Sequence, residues 1–140
     1  MAEATAAGLR LVVTSHDRML LDLECDEVTL PGREGDFGVL PGHAPLIATL
    51  RPGVLAYAGR AVSGVGRAVS GRAAVSSGFC QVYSDRVTVL ADRAWLPDEG
   101  DATEANEQVR ELAAGLDDAP SEELEALRDR IAEAQARAAL

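Results

Sequence analysis

Residues 21–30 read LDLECDEVTL, and their apolar side chains fall on every second position. A period of two is typical of a β-strand that is buried on one face only. The apolar positions change from odd to even numbers between Cys25 and Val28, and a shift of one residue is what a bulge or a sharp bend produces. Residues 9–14 alternate in the same way. The N-terminal part of the chain is therefore predicted to consist of half-buried strands, with a bend after residue 25.

Turn-forming dipeptides divide the rest of this region at short intervals. They are Pro31-Gly32, Glu34-Gly35, Pro41-Gly42, Pro52-Gly53 and Ser84-Asp85. Many short strands separated by such turns favour a sandwich or a barrel. Residues 59–77 contain a near-repeat of small residues, for which a glycine-rich hairpin is favoured over a recognition loop. The predicted organisation is an N-terminal tail at residues 1–8 followed by a β-domain at residues 9–96.

The apolar period becomes helical in the last third of the chain. Apolar residues three and four apart form two narrow stripes, at Ala102, Ala105, Val109, Leu112 and Leu116 and at Leu124, Leu127, Ile131, Ala134 and Ala138. Asp101 can cap the first helix, Gly115 can end it, and Ser121 can start the second. Residues 97–140 are thus predicted to form an antiparallel helical hairpin. Its alanine-rich stripes bury little apolar area, so the hairpin is expected to be weakly held and able to move.

The chain is strongly acidic, and its charge is unevenly distributed. It has 23 acidic side chains and 13 basic ones, all of them arginine, which gives a formal net charge of -10. Residues 98–140 alone hold thirteen acids and four arginines. Such a chain is not expected to bind nucleic acid or an anionic membrane, because those partners select clustered cations. The acidic helix face is interpreted as solvated, with pairs four residues apart such as Glu133 with Arg137.

The absence of lysine excludes two classes of enzyme. Walker-type phosphate loops and Schiff-base chemistry both need that residue. The two histidines, His16 and His43, have no partner at metal-ligand spacing, so no metal centre is expected, and His43 is interpreted as a turn residue. Residues 1–8 lack the basic and apolar parts of a signal peptide, and the chain has no run of about 18 apolar residues. We therefore expect a soluble chain without direct membrane insertion.

Nucleophilic and acid–base chemistry are also disfavoured by residue placement. Cys25 and Cys80 lie at apolar positions of predicted strands and are interpreted as reduced, inert thiols, with a disulfide in an oxidising compartment as the alternative. Glu34 and Asp36 flank Gly35, which favours a tight exposed loop over a catalytic carboxylate pair. The residues alone thus predict no catalytic group and no cofactor, and indicate a binding or regulatory protein.

Several segments of the strand-rich region carry a more specific signature. They are GDFGVLPGHAPL at residues 35–46, LRPG at 50–53, SGF at 77–79 and RVTVLAD at 86–92. Together with the terminal helical pair, their order resembles the epsilon subunit of bacterial F-type ATP synthases. The resemblance implies a mainly β fold with an α appendage, in which a flattened ten-stranded β-sandwich precedes the two-helix domain.

The resemblance also implies a role and a set of partners. A protein of this family lies in the central rotor stalk, binds the gamma subunit, rests on the ring of c subunits and couples proton-driven rotation to ATP synthesis without catalysing a reaction. It would lie at the cytoplasmic face of the bacterial inner membrane as a peripheral subunit. The loop implied to face the c ring comprises Glu34, Gly35, Asp36 and Phe37, and the family signature turn comprises Pro41, Gly42, His43, Ala44 and Pro45.

The helical region departs from the family pattern. In several members the first helix carries an Asp-x-x-Arg-Ala motif that binds ATP, but the matching positions here are Thr103, Asn106 and Glu107, so weak or absent ATP binding is expected. The helices of the family can also extend into the catalytic alpha/beta head and block hydrolysis. Arg128 and Arg130 are the candidate inhibitory contacts, although their acidic neighbours oppose docking on an acidic partner.

Two alternatives from other classes remain open at this point. One is a free-standing β-sandwich adaptor whose acidic hairpin binds a basic partner. The other is a jelly-roll enzyme for a small ligand, which would require a metal. The gene of an adaptor need not lie beside the gene of the ATP synthase beta subunit. The enzyme would be recognised by its metal content in elemental analysis.

Overall fold

The computed structural model describes residues 8–59, 70–99 and 101–140. Within these ranges the chain forms ten strands followed by two α-helices. The strands are β1 (Leu9–Ser15), β2 (Met19–Cys25), β3 (Glu27–Gly32), β4 (Gly35–Val39), β5 (Leu46–Leu50), β6 (Gly53–Ala58), β7 (Ser70–Val75), β8 (Gly78–Tyr83), β9 (Arg86–Ala91) and β10 (Ala94–Trp95). The helices are α1 (Ala102–Ala114) and α2 (Ser121–Ala138), preceded by a short 3-10 helix at Pro97–Glu99.

The strands form one continuous hydrogen-bonded path that folds into a flattened β-sandwich. Its order is β10-β7-β6-β3-β5-β8-β9-β1-β2, and β4 pairs with β3 beside this path. Neighbouring strands in the described ranges are antiparallel except β1 and β9, which run parallel. Strands β5 and β6 both pair with β3, so the chain passes from one part of the sandwich to the other at Arg51 and Pro52. The predicted fold class is confirmed.

The core consists mainly of valine, leucine and alanine side chains from the inward positions of these strands. Leu11, Val13 and Val28 are completely buried, as the alternating pattern predicts, and Leu55 is buried as well. Val12 is also buried, although the alternation places it on the exposed face of β1. Burial of such side chains contributes about 1.5 to 3 kcal/mol each. The sandwich therefore owes its stability to many modest contributions.

Both cysteines lie in this core as free thiols. Cys25 and Cys80 are buried and are not paired with each other. Burial raises the pKa of the Cys80 thiol to about 12 and that of Cys25 to about 11. Because the thiolate is the nucleophile, these groups stay protonated and inert at neutral pH. The interpretation as reduced core residues is confirmed.

The predicted bend after Cys25 lies at Asp26, between two strands. Strand β2 ends at Cys25 and pairs with β1, whereas β3 begins at Glu27 and pairs with β4, β5 and β6. The change of phase therefore marks the passage from one strand to the next across the sandwich. The predicted bend is confirmed, and it separates two strands instead of curving a single one.

The first predicted turn is also displaced. Pro31 and Gly32 lie in β3, and the turn consists of Arg33 and Glu34. The Pro31 carbonyl accepts a hydrogen bond from the Arg51 N–H, and the N–H and C=O of a strand residue point to the same side, so the missing N–H faces away from β4. On that side β6 pairs only with residues 27–29 and β5 only with Gly32, so no ladder bond needs the N–H.

The C-terminal helices begin and end close to the predicted positions. The Asp101 carboxylate accepts a hydrogen bond from the Glu104 backbone N–H at 3.1 Å, which caps α1. Gly115 follows α1, and α2 starts at Ser121 directly after Pro120. The helices pack against each other, and α2 also packs against β6 and β7. The predicted glycine-rich hairpin at residues 59–77 is described only in part. Its C-terminal portion forms β7, which pairs with β6, and residues 60–69 lie outside the described residues.

Candidate functional site: partner-binding surfaces

The end of the β3–β4 hairpin gathers the residues implied to face a c ring. We call residues 33–37 the acidic tip. Gly32 pairs with Gly35 across the two-residue turn, and Gly35 has a φ of +130°, which a side chain would disfavour. Glu34 is exposed and Phe37 is half-buried. Gly35, Asp36 and Phe37 belong to β4, so the predicted loop is a short turn followed by a strand.

One arginine holds the acidic tip from the side. Arg51 donates hydrogen bonds to the Gly32 carbonyl oxygen and to the Asp36 carboxylate. The backbone N–H of Arg51 also donates to the Pro31 carbonyl at 2.9 Å. A charge-assisted hydrogen bond is stronger than a neutral one, so this arginine fixes the position of Asp36. Arg51 belongs to the LRPG segment of the signature, for which the sequence alone predicts no contact.

The signature turn is hydrogen-bonded to the turn between β8 and β9. Gly42 has a φ of +87°, and its backbone N–H donates to the Asp85 carboxylate at 2.7 Å. Asp85 itself lies with Ser84 in the β8–β9 turn, where positive φ angles of 61° and 51° define the mirror-image turn that suits a hairpin. The two turns are therefore joined by a single side chain.

His43 is part of this turn and not of a polar cluster. Its backbone N–H donates to the Leu40 carbonyl at 3.1 Å, and its Nδ1 lies 2.6 Å from the Ala44 carbonyl oxygen. The side chain is half-buried. These local contacts agree with its interpretation as a turn residue.

Asp85 offers a test of this link. Replacing Asp85 by glycine keeps the positive φ accessible but removes the acceptor for the Gly42 N–H, so we expect a loss of about 1 kcal/mol in the free energy of unfolding. Replacing Asp85 by asparagine keeps both the turn and an acceptor oxygen and should change stability by less than about 0.5 kcal/mol. Urea unfolding of the two variants measures the difference, and equal stabilities would show that the link contributes nothing.

An exposed apolar patch covers the outer face of β5, β8 and β9. We define it as Ile47, Phe79 and Leu90, whose exposed fractions are 73%, 57% and 56%. Phe79 lies directly opposite Leu90, and Ile47 lies opposite Gln81 on the other side of β8. The three side chains line a depression of about 220 Å³. Clustered exposed apolar side chains of this kind mark interaction sites.

The helical hairpin is fastened to the sandwich by arginines. Arg33 of the acidic tip donates two hydrogen bonds to Asp129 on α2, at 2.9 and 2.7 Å, and these bonds raise the pKa of Arg33. Arg93 pairs with Glu133 at 2.9 Å. The sequence pattern predicts a solvated helix face on which Glu133 pairs with Arg137 of the same helix. That interpretation is wrong for both acids, because arginines distant in sequence reach them.

The C-terminal end of α2 makes a further contact with the sandwich. The Arg137 guanidinium lies 5.2 Å from the centre of the Trp95 ring and donates to the Gln108 side chain of α1. Ala134 and Ala136 of α2 are buried, and α2 packs against α1, β6 and β7. The hairpin in this structure thus lies against the sandwich.

The remaining predicted residues of the hairpin are at the surface. Thr103 and Asn106 are exposed on α1, and Arg128 and Arg130 are exposed on α2 on either side of Asp129. In the described parts of the chain, no group of three or more His, Cys, Asp or Glu side chains is placed to hold a metal ion. No helix in these parts is long and apolar enough to cross a membrane.

These features define a class of protein: a β-sandwich with exposed docking surfaces and an appended helical hairpin. The family model described as "ATP synthase, Delta/Epsilon chain, beta-sandwich domain" matches residues 8–97, and the chain belongs to this family. The resemblance found in the sequence is confirmed.

Individual sequence relatives agree with this assignment. The chain is 56% identical over 43 residues to the ATP synthase epsilon chain of Bradyrhizobium sp. strain ORS 278, covering 31% of this chain and 32% of the relative. It is 44% identical over 50 residues to that of Parvibaculum lavamentivorans, covering 36% and 38%. The aligned part thus spans about a third of the length of these curated relatives.

The solved structures show the same fold at low sequence identity. A chain in the Euglena gracilis mitochondrial ATP synthase (OSCP/F1/c-ring) matches with a TM-score of 0.76 and 21% identity, over 95% of this chain and 81% of that one. A chain in the central stalk and c-ring of the Tetrahymena thermophila mitochondrial enzyme matches with a TM-score of 0.53 and 15% identity, over 67% and 70%. The first match extends over nearly the whole of this chain.

Proposed function

We propose that the chain is a central-stalk subunit of a proton-translocating F-type ATP synthase and couples rotation of the c ring to ATP synthesis through the gamma subunit. The observation that carries this proposal is the family match over residues 8–97. The assemblies that contain the structural neighbours, an F1/c-ring complex and a central stalk with its c-ring, support it. On this proposal the chain is not itself an enzyme and uses no cofactor.

The two exposed surfaces suit the two rotor partners. The apolar patch is assigned to gamma, because a permanent subunit interface has an apolar centre. The acidic tip is assigned to the c ring, because the carboxylates of Glu34 and Asp36 are complementary to basic polar loops. Ile47 lines both the patch and the open cavity of about 650 Å³ beside the acidic tip, so the two surfaces adjoin. A subunit held between gamma and the c ring needs such adjacent surfaces.

This assignment implies a location for the subunit and disfavours the free-standing adaptor. The subunit would lie peripherally at the cytoplasmic face of the bacterial inner membrane, with no direct insertion and no nucleic-acid partner. A free-standing adaptor would need its acidic helix face for a basic partner, whereas Asp129 and Glu133 are engaged by arginines of the same chain.

The helical hairpin is proposed to regulate ATP hydrolysis by leaving the sandwich and contacting the alpha/beta head. Arg128 and Arg130 are exposed while α2 is docked and are the proposed contacts. A two-state element of this kind needs states that differ by only a few kcal/mol, which is compatible with a junction made of a few ion pairs and buried alanines.

Add-back experiments test the proposal. Cognate F1 stripped of this subunit should bind the full chain and lose hydrolysis activity, and the double variant Arg128→Gln with Arg130→Gln should bind equally well but inhibit less. Equal inhibition by both proteins would remove the assigned role of these arginines. Failure of the wild-type chain to bind would contradict the function itself.

Nucleotide binding gives a separate expected result. Thr103 and Asn106 offer neither the acid nor the arginine of the family motif, so calorimetric titration of the full chain should give no micromolar ATP affinity. Introducing the pair as Thr103→Asp with Asn106→Arg should strengthen binding at least about tenfold, because charged hydrogen bonds contribute about 1.5 to 3 kcal/mol. A micromolar dissociation constant for the unaltered chain would contradict this expectation.

A further inference from the structure

The acidic tip and the helical hairpin are physically connected by one side chain. Arg33 lies in the β3–β4 turn, and both of its terminal nitrogens donate to the Asp129 carboxylate of α2. Its backbone N–H donates to the Thr49 carbonyl at 3.0 Å, so the residue is held by β5 as well. Each side chain of the ion pair is about one third exposed, at 35% for Arg33 and 32% for Asp129. A paired, fork-shaped contact of this kind fixes geometry as well as charge.

This contact sets the charge that the acidic tip presents. The Asp36 carboxylate is paired with Arg51, and Glu34 is exposed beside Arg33. While Asp129 neutralises Arg33, the negative charge of Glu34 is not compensated by Arg33, and the acidic tip carries a net negative charge. When α2 leaves, the Arg33 guanidinium is uncovered next to Glu34 and cancels it.

We propose that Arg33 couples the position of α2 to the acidic tip, so that the chain binds basic c-ring loops more tightly when α2 lies on the sandwich than when it is removed. The inference rests on the proposed assignment of the acidic tip to the c ring. Dissociation of the hairpin from the sandwich then has two effects. It makes α2 available for other contacts, and it weakens binding of the sandwich to the c ring. The coupling acts through charge over a few ångströms and is sensitive to ionic strength.

Charge-neutral variants of the full chain test this coupling. Binding to a purified, detergent-solubilised complex of gamma and the c ring is measured at low salt. Asp129→Asn removes the neutralising charge, and we expect binding to weaken about threefold to tenfold. Glu122→Gln makes the same change of net charge on an exposed residue of α2 and should change binding less than about twofold.

The double variant separates coupling from simple loosening of the fold. Arg33→Gln combined with Asp129→Asn leaves Glu34 uncompensated, as in the unaltered chain, and should restore binding to within about twofold. Arg33→Gln alone should not weaken binding. Circular dichroism and urea unfolding confirm that each variant is folded.

The outcomes distinguish the inference from the proposed function. If the unaltered chain binds the rotor but Asp129→Asn binds equally well, or if the double variant is as weak as the single one, the coupling is wrong while the function stands. If the unaltered chain does not bind the rotor, both are overturned.

Discussion

Gly78→Ala is expected to destabilise the β-sandwich by about 3 kcal/mol, at the upper end of the range for introducing an atom into a packed site. A Cβ on Gly78 would lie 2.1 Å from the Leu90 carbonyl oxygen and 2.8 Å from the Ala91 Cα. Both atoms belong to the backbone of β9, which pairs with β8 on one side and with β1 on the other. Relief of the clash therefore requires displacement of a central strand.

A second strand glycine provides the matched control. A Cβ on Gly38 in β4 would meet only the Val28 carbonyl oxygen at 3.9 Å, an ordinary contact. Gly38→Ala should therefore change stability by less than about 1 kcal/mol, and the loss of chain entropy in the unfolded state favours the alanine. Urea unfolding followed by circular dichroism measures both. Equal midpoints for Gly78→Ala and Gly38→Ala would show that β8 and β9 are not packed as described.

Phe79→Glu is expected to weaken association with gamma strongly while leaving the fold intact. The ring is 57% exposed in the free chain and lies at the middle of the apolar patch, so a glutamate is tolerated there in solution. In the proposed interface it would be buried without a partner, which carries a large desolvation cost. An aromatic residue at the centre of an interface typically contributes 2 kcal/mol or more, so binding should weaken at least about thirtyfold.

The control for Phe79 is Met19, another large apolar side chain that is 59% exposed. Met19 lies on β2, the last strand of the sheet order, two strands beyond Leu90 on β9 and outside the three residues that define the patch. Met19→Glu should bind gamma within about twofold of the unaltered chain, because an exposed residue outside the interface contributes little. Co-sedimentation or surface-based binding to purified gamma measures both variants. Loss of binding in both, or in neither, would refute the assignment of the patch.

The period of the sequence was sufficient to predict β1, the stretch that forms β2 and β3, and the two helices. Alternation at residues 9–14 and 21–30 and the helical stripes after residue 101 correspond to β1, β2, β3, α1 and α2. These signals are local, because the apolar residues on the buried face of a strand or helix recur at a fixed spacing within that element. The cap at Asp101 and the start of α2 after Pro120 are likewise local chemistry.

Contacts between distant segments were not predictable in the same way. Arg33 reaches Asp129 and Arg93 reaches Glu133, over 96 and 40 residues. No period in the sequence relates such pairs, since their meeting depends on how the helical hairpin lies on the sandwich. The acids on α2 therefore looked like a solvated helix face.

The apolar patch escaped prediction for a different reason. Strand β8 carries large apolar side chains on both faces, with Cys80 and Val82 buried and Phe79 and Tyr83 exposed. A strand that is apolar on both faces does not reveal which face enters the core. The core face could be identified only from the packing of β8 against the rest of the sandwich.

The central claim, that the chain couples rotation to proton transport, is tested most directly by ATP-driven proton pumping. Vesicles carrying the cognate synthase depleted of this subunit are given the full chain, and acidification of their interior is measured. The account predicts that the unaltered chain and Met19→Glu restore pumping, whereas Phe79→Glu does not. Failure of the folded, unaltered chain to restore pumping at saturating concentration would contradict the account.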